Sequence, residues 1–476
     1  MTEVEATSSH FKENVHEALT DSRLQGALGF SRNFVGRRAA AVARLPEFDG
    51  LRDSARAIKD HALAHLDLYL EAYERKARES GGEVHYAQDA EEAREIVIDL
   101  CKSMGAKSVT KGKSMIAEEI GLNHALEAAG IEPVETDLGE YIIQLRGETP
   151  SHIIAPAIHL TAKDVEQEFR KAHRDLPPDR SLAEPEQLLA EARQVLRAKF
   201  LAADVGITGA NFLVAETGTS IIVTNEGNGD LTQILPKAHI VIASIEKVIP
   251  TLDDAAQLLR VLARSATGQD ASVYTTLSTG PRRPGDPDGP RAYHVVILDN
   301  GRSSMLGGEF EDMLRCIRCG ACMNHCPVYQ AVGGHAYGWV YPGPMGAVLT
   351  PSLIGVAEGG QLPNASTFCG RCEQVCPVRI PLPNMMRHWR EREFERRLSP
   401  APLRYGLGFW AFFAGRPALY RLATDLAARA LHLAGRGKGR FSSLPLAGGW
   451  TRYRDLAASE GATFQSQWRG RSGAVR

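Results

Sequence analysis

Long apolar runs are missing from this chain. The longest uncharged aromatic stretch, residues 405–415, falls well short of the ~20 residues that cross a bilayer. Residues 1–14 are polar with an acidic bias, and no basic segment precedes an apolar core there, so no secretory leader is read. Charge of one sign is missing too. A net charge of -2 over 476 residues gives no electrostatic case for nucleic acid. No G-x-G-x-x-G follows an expected strand, and Gly206 and Gly209 only echo one. Lys111-Gly112-Lys113-Ser114 ends like a phosphate loop but lacks its leading glycine. There is no G-x-S-x-G elbow and no H-E-x-x-H pair. These absences leave the chain without a flavin or nicotinamide site of its own, so a partner is expected to supply any two-electron step.

Cysteine is scarce, with eight in all, and seven fall in two short runs. The first is Cys316, Cys319, Cys322 and Cys326, followed by Pro327; the second is Cys369, Cys372 and Cys376, followed by Pro377. Three thiolates on one tight loop grip three corners of an iron–sulfur cubane, and the fourth cysteine, set by proline, serves the other cluster. This spacing predicts a first [4Fe–4S] cluster on Cys316, Cys319, Cys322 and Cys376 and a second on Cys326, Cys369 and Cys372. The second run lacks its first cysteine, because Ser366 stands three residues before Cys369. An alkoxide from Ser366, a water or partner ligand, and a three-iron cluster all fit that corner; a [4Fe–4S] cluster with a non-cysteine corner is preferred. Zinc wants ligands in two pairs, and disulfides suit short secreted chains, so neither fits the spacing. Such a reduced framework implies a cytoplasmic protein. Cys101, far away on an expected helix, reads as a small buried hydrophobe.

The bulk composition, 43% hydrophobic and 24% charged, is that of a soluble globular protein with two or three domains. Residues 1–84 read as a helical packing arm, with apolar spacing clearest over 51–72. Residues 85–300 alternate between helix and strand. Helices are expected over 91–104, 114–129, 184–203 and 253–266. Strands are expected over 106–110, 131–136, 152–156, 211–214, 220–224, 238–245, 272–277 and 293–298, with a hairpin turned at 216–218. This order predicts an α/β domain with a largely parallel sheet. Residues 281–290 form a surface loop. Residues 301–390 hold the ferredoxin-type cysteine runs, with a helix expected over 305–315. The glycine-rich insert at 333–346 reads either as chain folded close over a cluster or partner surface, or as an irregular loop. Residues 391–476 form a helical extension. It follows a basic helix over 383–397, carries Trp410, Phe412, Phe413 and Tyr420, and includes a flexible stretch at 435–440.

Open α/β sheets bind ligands at strand ends, and several polar groups fall there. Lys111, Lys113 and Ser114 precede a helix that can hold an anion. Glu118 and Glu119 follow, and Glu135-Thr136-Asp137 ends a strand. Glu216, Thr217 and Gly218 stand on one side of the hairpin and Asn225, Glu226 and Asn228 on the other. Each also reads as a cap or turn. His152 and His159 read as structural.

The combination resembles the lactate utilisation protein B family. It rests on Lys113-Ser-Met-Ile-Ala-Glu-Glu-Ile-Gly121, Glu135-Thr-Asp-Leu-Gly139, Ala215-Glu-Thr-Gly218 and Thr224-Asn-Glu-Gly-Asn228. The segments Cys316 to Cys322, Cys326-Pro-Val-Tyr329, Gly333 to Gly338 and Cys369 to Ile380 fit as well. The resemblance covers nearly the whole chain. It implies an α/β domain similar to the sugar-phosphate isomerase and CoA-transferase fold, a second cysteine run that lacks its first member throughout the family, and a C-terminal extension. It also implies one component of a three-part L-lactate oxidation system that passes electrons onward. Three functions are weighed: an electron-transfer subunit, an enzyme using Glu216 as base or nucleophile, and a scaffold with structural clusters. The basic and aromatic C-terminal helices fit a partner interface, or peripheral membrane contact.

Overall fold

A computed structural model describes residues 6–29, 32–445 and 447–472, so the first five residues of the polar start lie outside it. The chain divides into two units, Met1–Glu393 and Phe394–Arg476. The first contains β1 (Glu83–Ala87), β2 (Ser108–Gly112), β3 (Glu132–Glu135), β4 (Val205–Gly209), β5 (Phe212–Val214), β6 (Thr219–Thr224), β7 (Ala238–Ser244), β8 (Val248–Ile249), β9 (Tyr274–Ser278) and β10 (Ala292–Leu298). Six of them form one wholly parallel sheet in the order β1-β10-β7-β4-β2-β3. Helices cover both faces, which is why β7 is buried at every position and is apolar from Ile240 to Ala243. Val97, Cys101 and Leu126 pack on Val109, Ile207 and Ile240 of one face. Tyr73 and Ala77 pack on Val241 and Val295 of the other. Cys101 is fully buried in the first layer.

The chain leaves β2 toward β3 on one side and returns through β4 on the other. That reversal makes a crevice at the carboxyl ends of β2 and β4, the place where such sheets receive ligands.

Several expectations are corrected. The strand at 152–156 is a turn, because the His152 ring nitrogen Nδ1 accepts from the N–H groups of Ile154 and Ala155 and withdraws them from a ladder. The helix at 114–129 is two, Met115–Glu119 and Leu122–Ala128, split where Gly121 takes φ +62°. The stretch at 305–315 is a pair of single turns, Ser303–Met305 and Glu311–Arg315. The segment at 272–277 becomes β9, which leaves the main series to pair with β6 in a second sheet, β8-β5-β6-β9. The glycine stretch at 435–440 ends a helix, Pro417–Gly435, and enters a short strand, Arg440–Phe441. Helices Leu138–Arg146, Ala162–Ala172 and Asn228–Ile234 were not foreseen.

The N-terminal helices do pack, and on more than themselves. Phe11, Phe48 and Ala55 share one core with Leu258 of the α/β domain and with Met313, Tyr337, Val348 and Trp389 of the cysteine region. The glycine-rich insert folds over the first cysteine loop: Gly343 opens a buried helix, Gly343–Ile354, so close to Met323 that a β-carbon there would meet its side chain at 2.3 Å. In the second unit, helix Ala401–Ala414 buries no residue, and Tyr405, Phe409 and Trp410 stand exposed. Among the described residues, no helix is long and apolar enough to cross a membrane.

Gly206 is a packing glycine. A β-carbon there would lie 1.8 Å from the Thr232 carbonyl oxygen, where helix Asn228–Ile234 crosses β4. Gly206→Ala is expected to cost about 1–3 kcal/mol by overpacking, read as a lower thermal midpoint. An unchanged midpoint would show that the helix gives way freely.

Candidate functional site

The two cysteine runs fold as a structural repeat. In the first, Arg318 and Gly320 take φ +57° and +73°; in the second, Phe368 and Gly370 take +53° and +75°. Each pair flanks the equivalent cysteine, Cys319 or Cys369, so Ser366 occupies the backbone position that Cys316 holds in the first loop. Short helices follow, Ala321–Asn324 and Arg371–Val375, and each run ends on an extended cysteine, Cys326 or Cys376.

Cys316, Cys319, Cys322 and Cys376 line one small apolar cavity. Burial pushes the Cys376 thiol up to about 11 despite N–H donors from Ile380 and Val378, with Cys316 adding repulsion. Burial and then Cys319 and Cys316 raise Cys322 as well. Burial pushes Cys372 up to about 12, with Cys326 and Cys369 as neighbouring charges. Among the described residues, no three cysteine sulfurs lie within 4.8 Å of one another, whereas tetrahedral zinc would draw them to about 3.8 Å. The spread fits a larger, multi-iron group.

Other atoms fit such a group too. The Tyr337 hydroxyl is buried and directed at the Cys326 thiol. Backbone N–H groups of Tyr329 and Val328 approach Cys326, and Ile380 N–H donates to Cys376 Sγ at 3.4 Å. Donors of this kind stabilise thiolate charge and tune cluster potential. Ser366 Oγ accepts from Phe368 N–H at 3.1 Å, and Cys369 beside it is exposed.

The helical arm supplies residues that sequence reading missed. Arg52 donates to the carbonyls of Cys376 and Gln374 at 2.8 and 2.7 Å, and Arg38 to that of Val375 at 3.0 Å. Both clamp the second loop where it delivers Cys376. Apolar spacing assigned this arm to packing and gave no sign of the arginines' targets.

The carboxyl edge of the large sheet meets the first cysteine loop through a buried ionic layer. Glu119 follows β2, Glu246 and Lys247 follow β7, and Arg302 follows β10. Arg302 is fully buried and holds Glu119 through two bonds of 2.6 and 2.9 Å and Glu246 at 3.2 Å. Glu246 reaches Arg318 at 3.3 Å, and Tyr341 donates to Glu119 at 2.5 Å. Lys59 of the arm donates to the Glu246 carbonyl. Burial opposes ionisation of Glu246, but Arg302 and Arg318 hold its pKa at about 2. Burial, then the Arg318 cation, pushes Lys247 down to about 7.

A cavity of about 160 Å³ lies against this layer. Its walls include Lys113 and Ser114 after β2, Gly209 at the end of β4, Asn225 after β6, Lys247, and Arg318 and Cys319 of the first cysteine loop. It therefore occupies the crevice between β2 and β4.

The structure sorts the anticipated ligand residues. Lys113 and Asn225 line the cavity; Glu226 joins Lys113 at 3.2 Å, and Asp137 does so at 2.9 Å. Lys111 points elsewhere. Burial alone would discharge it, but Glu118 at 2.6 Å and Glu135 at 2.7 Å keep its pKa above the ordinary lysine value. It is a saturated structural cation. Thr217 donates to Thr219, and Gly218 presses on helix Leu66–Glu79, where a β-carbon would lie 2.3 Å from Ala77 N. Glu216 is exposed and accepts from Leu252 N–H at 3.1 Å, which caps helix Leu252–Ala266. Nothing around Glu216 supports a base or nucleophile. His152 is buried, bonds Asn324 at 2.9 Å, and is pushed by burial down to about 4, so it stays neutral. His159 pairs with Glu148 at 2.8 Å.

Fold and site define an iron–sulfur protein built on an α/β domain. Residues 70–298 match the LUD domain family and residues 312–380 the 4Fe-4S dicluster domain family. Lactate utilization protein B of Bacillus licheniformis is 43% identical over 96% of this chain and 95% of its own length. That of Geobacillus thermodenitrificans is 42% identical over 97% of each chain. The uncharacterized electron transport protein YkgF of Escherichia coli is 40% identical over 97% of each. The chain belongs to the lactate utilization protein B family.

Cys376→Ser should remove one ligand from the first set and lower bound iron by up to half, about four atoms per chain. Cys101→Ser should leave iron unchanged. Equal loss in both, measured by iron assay after anaerobic purification, would contradict the grouping.

Proposed function

We propose that this chain is the electron-carrying iron–sulfur subunit of a multi-component system that oxidises L-lactate to pyruvate and allows growth on lactate. The observation that carries the reading is the gathering of seven cysteines into two adjacent sets within one body with the α/β domain. The names of the relatives, lactate utilization protein B and an electron transport protein, support it. We assign two [4Fe–4S] clusters, on Cys316, Cys319, Cys322 and Cys376, and on Cys326, Cys369 and Cys372 with a non-cysteine corner beside Ser366.

Oxidation of lactate releases two electrons and two protons, and when bound the two clusters supply two one-electron steps. The protein's own residues set the conditions for this. Arg38 and Arg52 fix the second loop, Tyr337 and the backbone N–H groups face the thiolates, and Met345 of the insert lines the cavity of the first set. The partners are the other lactate-utilisation subunits, and the setting is cytoplasmic. The exposed apolar helix Ala401–Ala414 supports a partner surface; liposome flotation that recovers the chain with the vesicles would instead favour peripheral membrane contact.

The test is Mössbauer and EPR spectroscopy on anaerobically purified protein, with iron counted. About eight irons in two cubane clusters are expected, with no lactate turnover by the chain alone and cluster reduction by lactate once the partner subunits are added. Iron that never changes oxidation state in the assembled system would favour a structural scaffold. Ser366→Ala that leaves the spectrum of the second cluster unchanged would remove Ser366 as its ligand.

A further inference from the structure

The cavity at the β2–β4 crevice has an unused cation. Lys247 is only 5% exposed and lines the cavity. Among the described residues its ammonium takes part in no hydrogen bond or ion pair of the kind that satisfies Lys111 and Lys113. The ammonium is not among the buried side-chain nitrogens closed off without a partner, so it opens into the cavity, where an anion can reach it.

The rest of the lining narrows the ligand. Met115, Ile153, Ile242, Leu262 and Ala266 give apolar walls. Asn225, at the exposed rim, commits its side-chain oxygen to Gln269 at 3.1 Å, which leaves its amide hydrogens for a ligand. The volume of about 160 Å³ holds on the order of ten water-sized groups, so the ligand is small. One charged end and an apolar body describe a short carboxylic acid better than a phosphate ester, whose further charges would find no additional free cation on those walls.

The position narrows its role. Ile153, Arg318 and Cys319 line both this cavity and the one that gathers Cys316, Cys319, Cys322 and Cys376. A ligand here is separated from the first cysteine set by single side chains.

We propose that the cavity binds a small hydroxy- or oxo-carboxylate, with its carboxylate on Lys247 and its body against the wall shared with the first cysteine set. The choice of lactate and pyruvate as probes rests on the proposed function; the carboxylate site itself rests on the cavity.

The experiment is isothermal titration of the anaerobic holoprotein with L-lactate and pyruvate, with lactamide and inorganic phosphate as comparators and iron counted in every sample. Either carboxylate should bind and neutral lactamide should not. Lys247→Gln should weaken binding about ten- to a hundredfold with iron unchanged, and Lys247→Arg should weaken it less. Ala266→Leu, which fills the cavity without touching charge, should abolish binding. Equal binding by Lys247→Gln and the unaltered protein would overturn the proposal. So would the absence of carboxylate binding at about 10 mM, or preference for phosphate. A Lys247→Gln protein that binds normally but has a shifted cluster potential would show that Lys247 serves only the cluster's charge. Carboxylate binding in protein that holds no iron would uphold the site and defeat the electron-carrier reading alone.

Discussion

The salt link from Arg302 to Glu119 and Glu246 is what ties the sheet to the cysteine loops. Its members come from the segments that follow three separate strands, Glu119 at the end of helix Met115–Glu119, and the contacts extend to Arg318 in the first loop and Tyr341 in the covering insert. Removing such charges from water costs several kcal/mol per ion, and breaking one partner leaves an uncompensated charge. The layer is therefore tolerant of one register only. Arginine suits the task because its planar fork binds Glu119 through two nitrogens while a third faces Glu246. A lysine would offer one point of charge.

The same layer is unbalanced. Two buried carboxylates, Glu119 and Glu246, face Arg302, Arg318, Lys59 and Lys247. The surplus of cations lies beside thiols that burial and mutual repulsion keep protonated in the absence of a partner charge. Each excess offsets the other once thiolates form. The helical arm adds Arg38 and Arg52 on the far side of the second loop, so cations approach the cysteines from both the sheet edge and the arm.

Much of this was legible in the chain. Spacing places Cys376 with Cys316, Cys319 and Cys322, and those four line one cavity. The parallel sheet follows from strand–helix alternation, and the hairpin of β5 and β6 from its turn residues. Other features depend on distant contacts that no local pattern encodes. The turn at 152–156 looks like a strand because Ile153 and Ile154 are apolar; their partners are the cavity and the cysteine loop, not a ladder. Lys111 and Lys113, two positions apart, would share a face of a continuing strand; they have opposite fates because β2 ends at Gly112 and Lys113 takes φ +39°. Glu216 drew attention beside Thr217 and Gly218, but that motif secures a helix cap and a close backbone approach. Lys247 sits in an ordinary-looking apolar stretch, and only the fold reveals that its ammonium lacks an acceptor.

The arrangement also orders the two cysteine sets. The first shares a wall with the crevice through Cys319, whereas the second reaches the surface at Cys369 and the half-exposed Phe368, over which Arg390 lies 4.1 Å from the ring centre. Cys322 and Cys372 are close enough to feel each other's charge, so the sets adjoin. On the proposed reading, electrons enter beside the crevice and leave near Ser366, where the missing cysteine opens the second set toward a partner. An incomplete ligand set at the exit is then no defect of the repeat. On the same reading, the first set takes four thiolates beneath the covering insert, and the second leaves a corner where the surface begins.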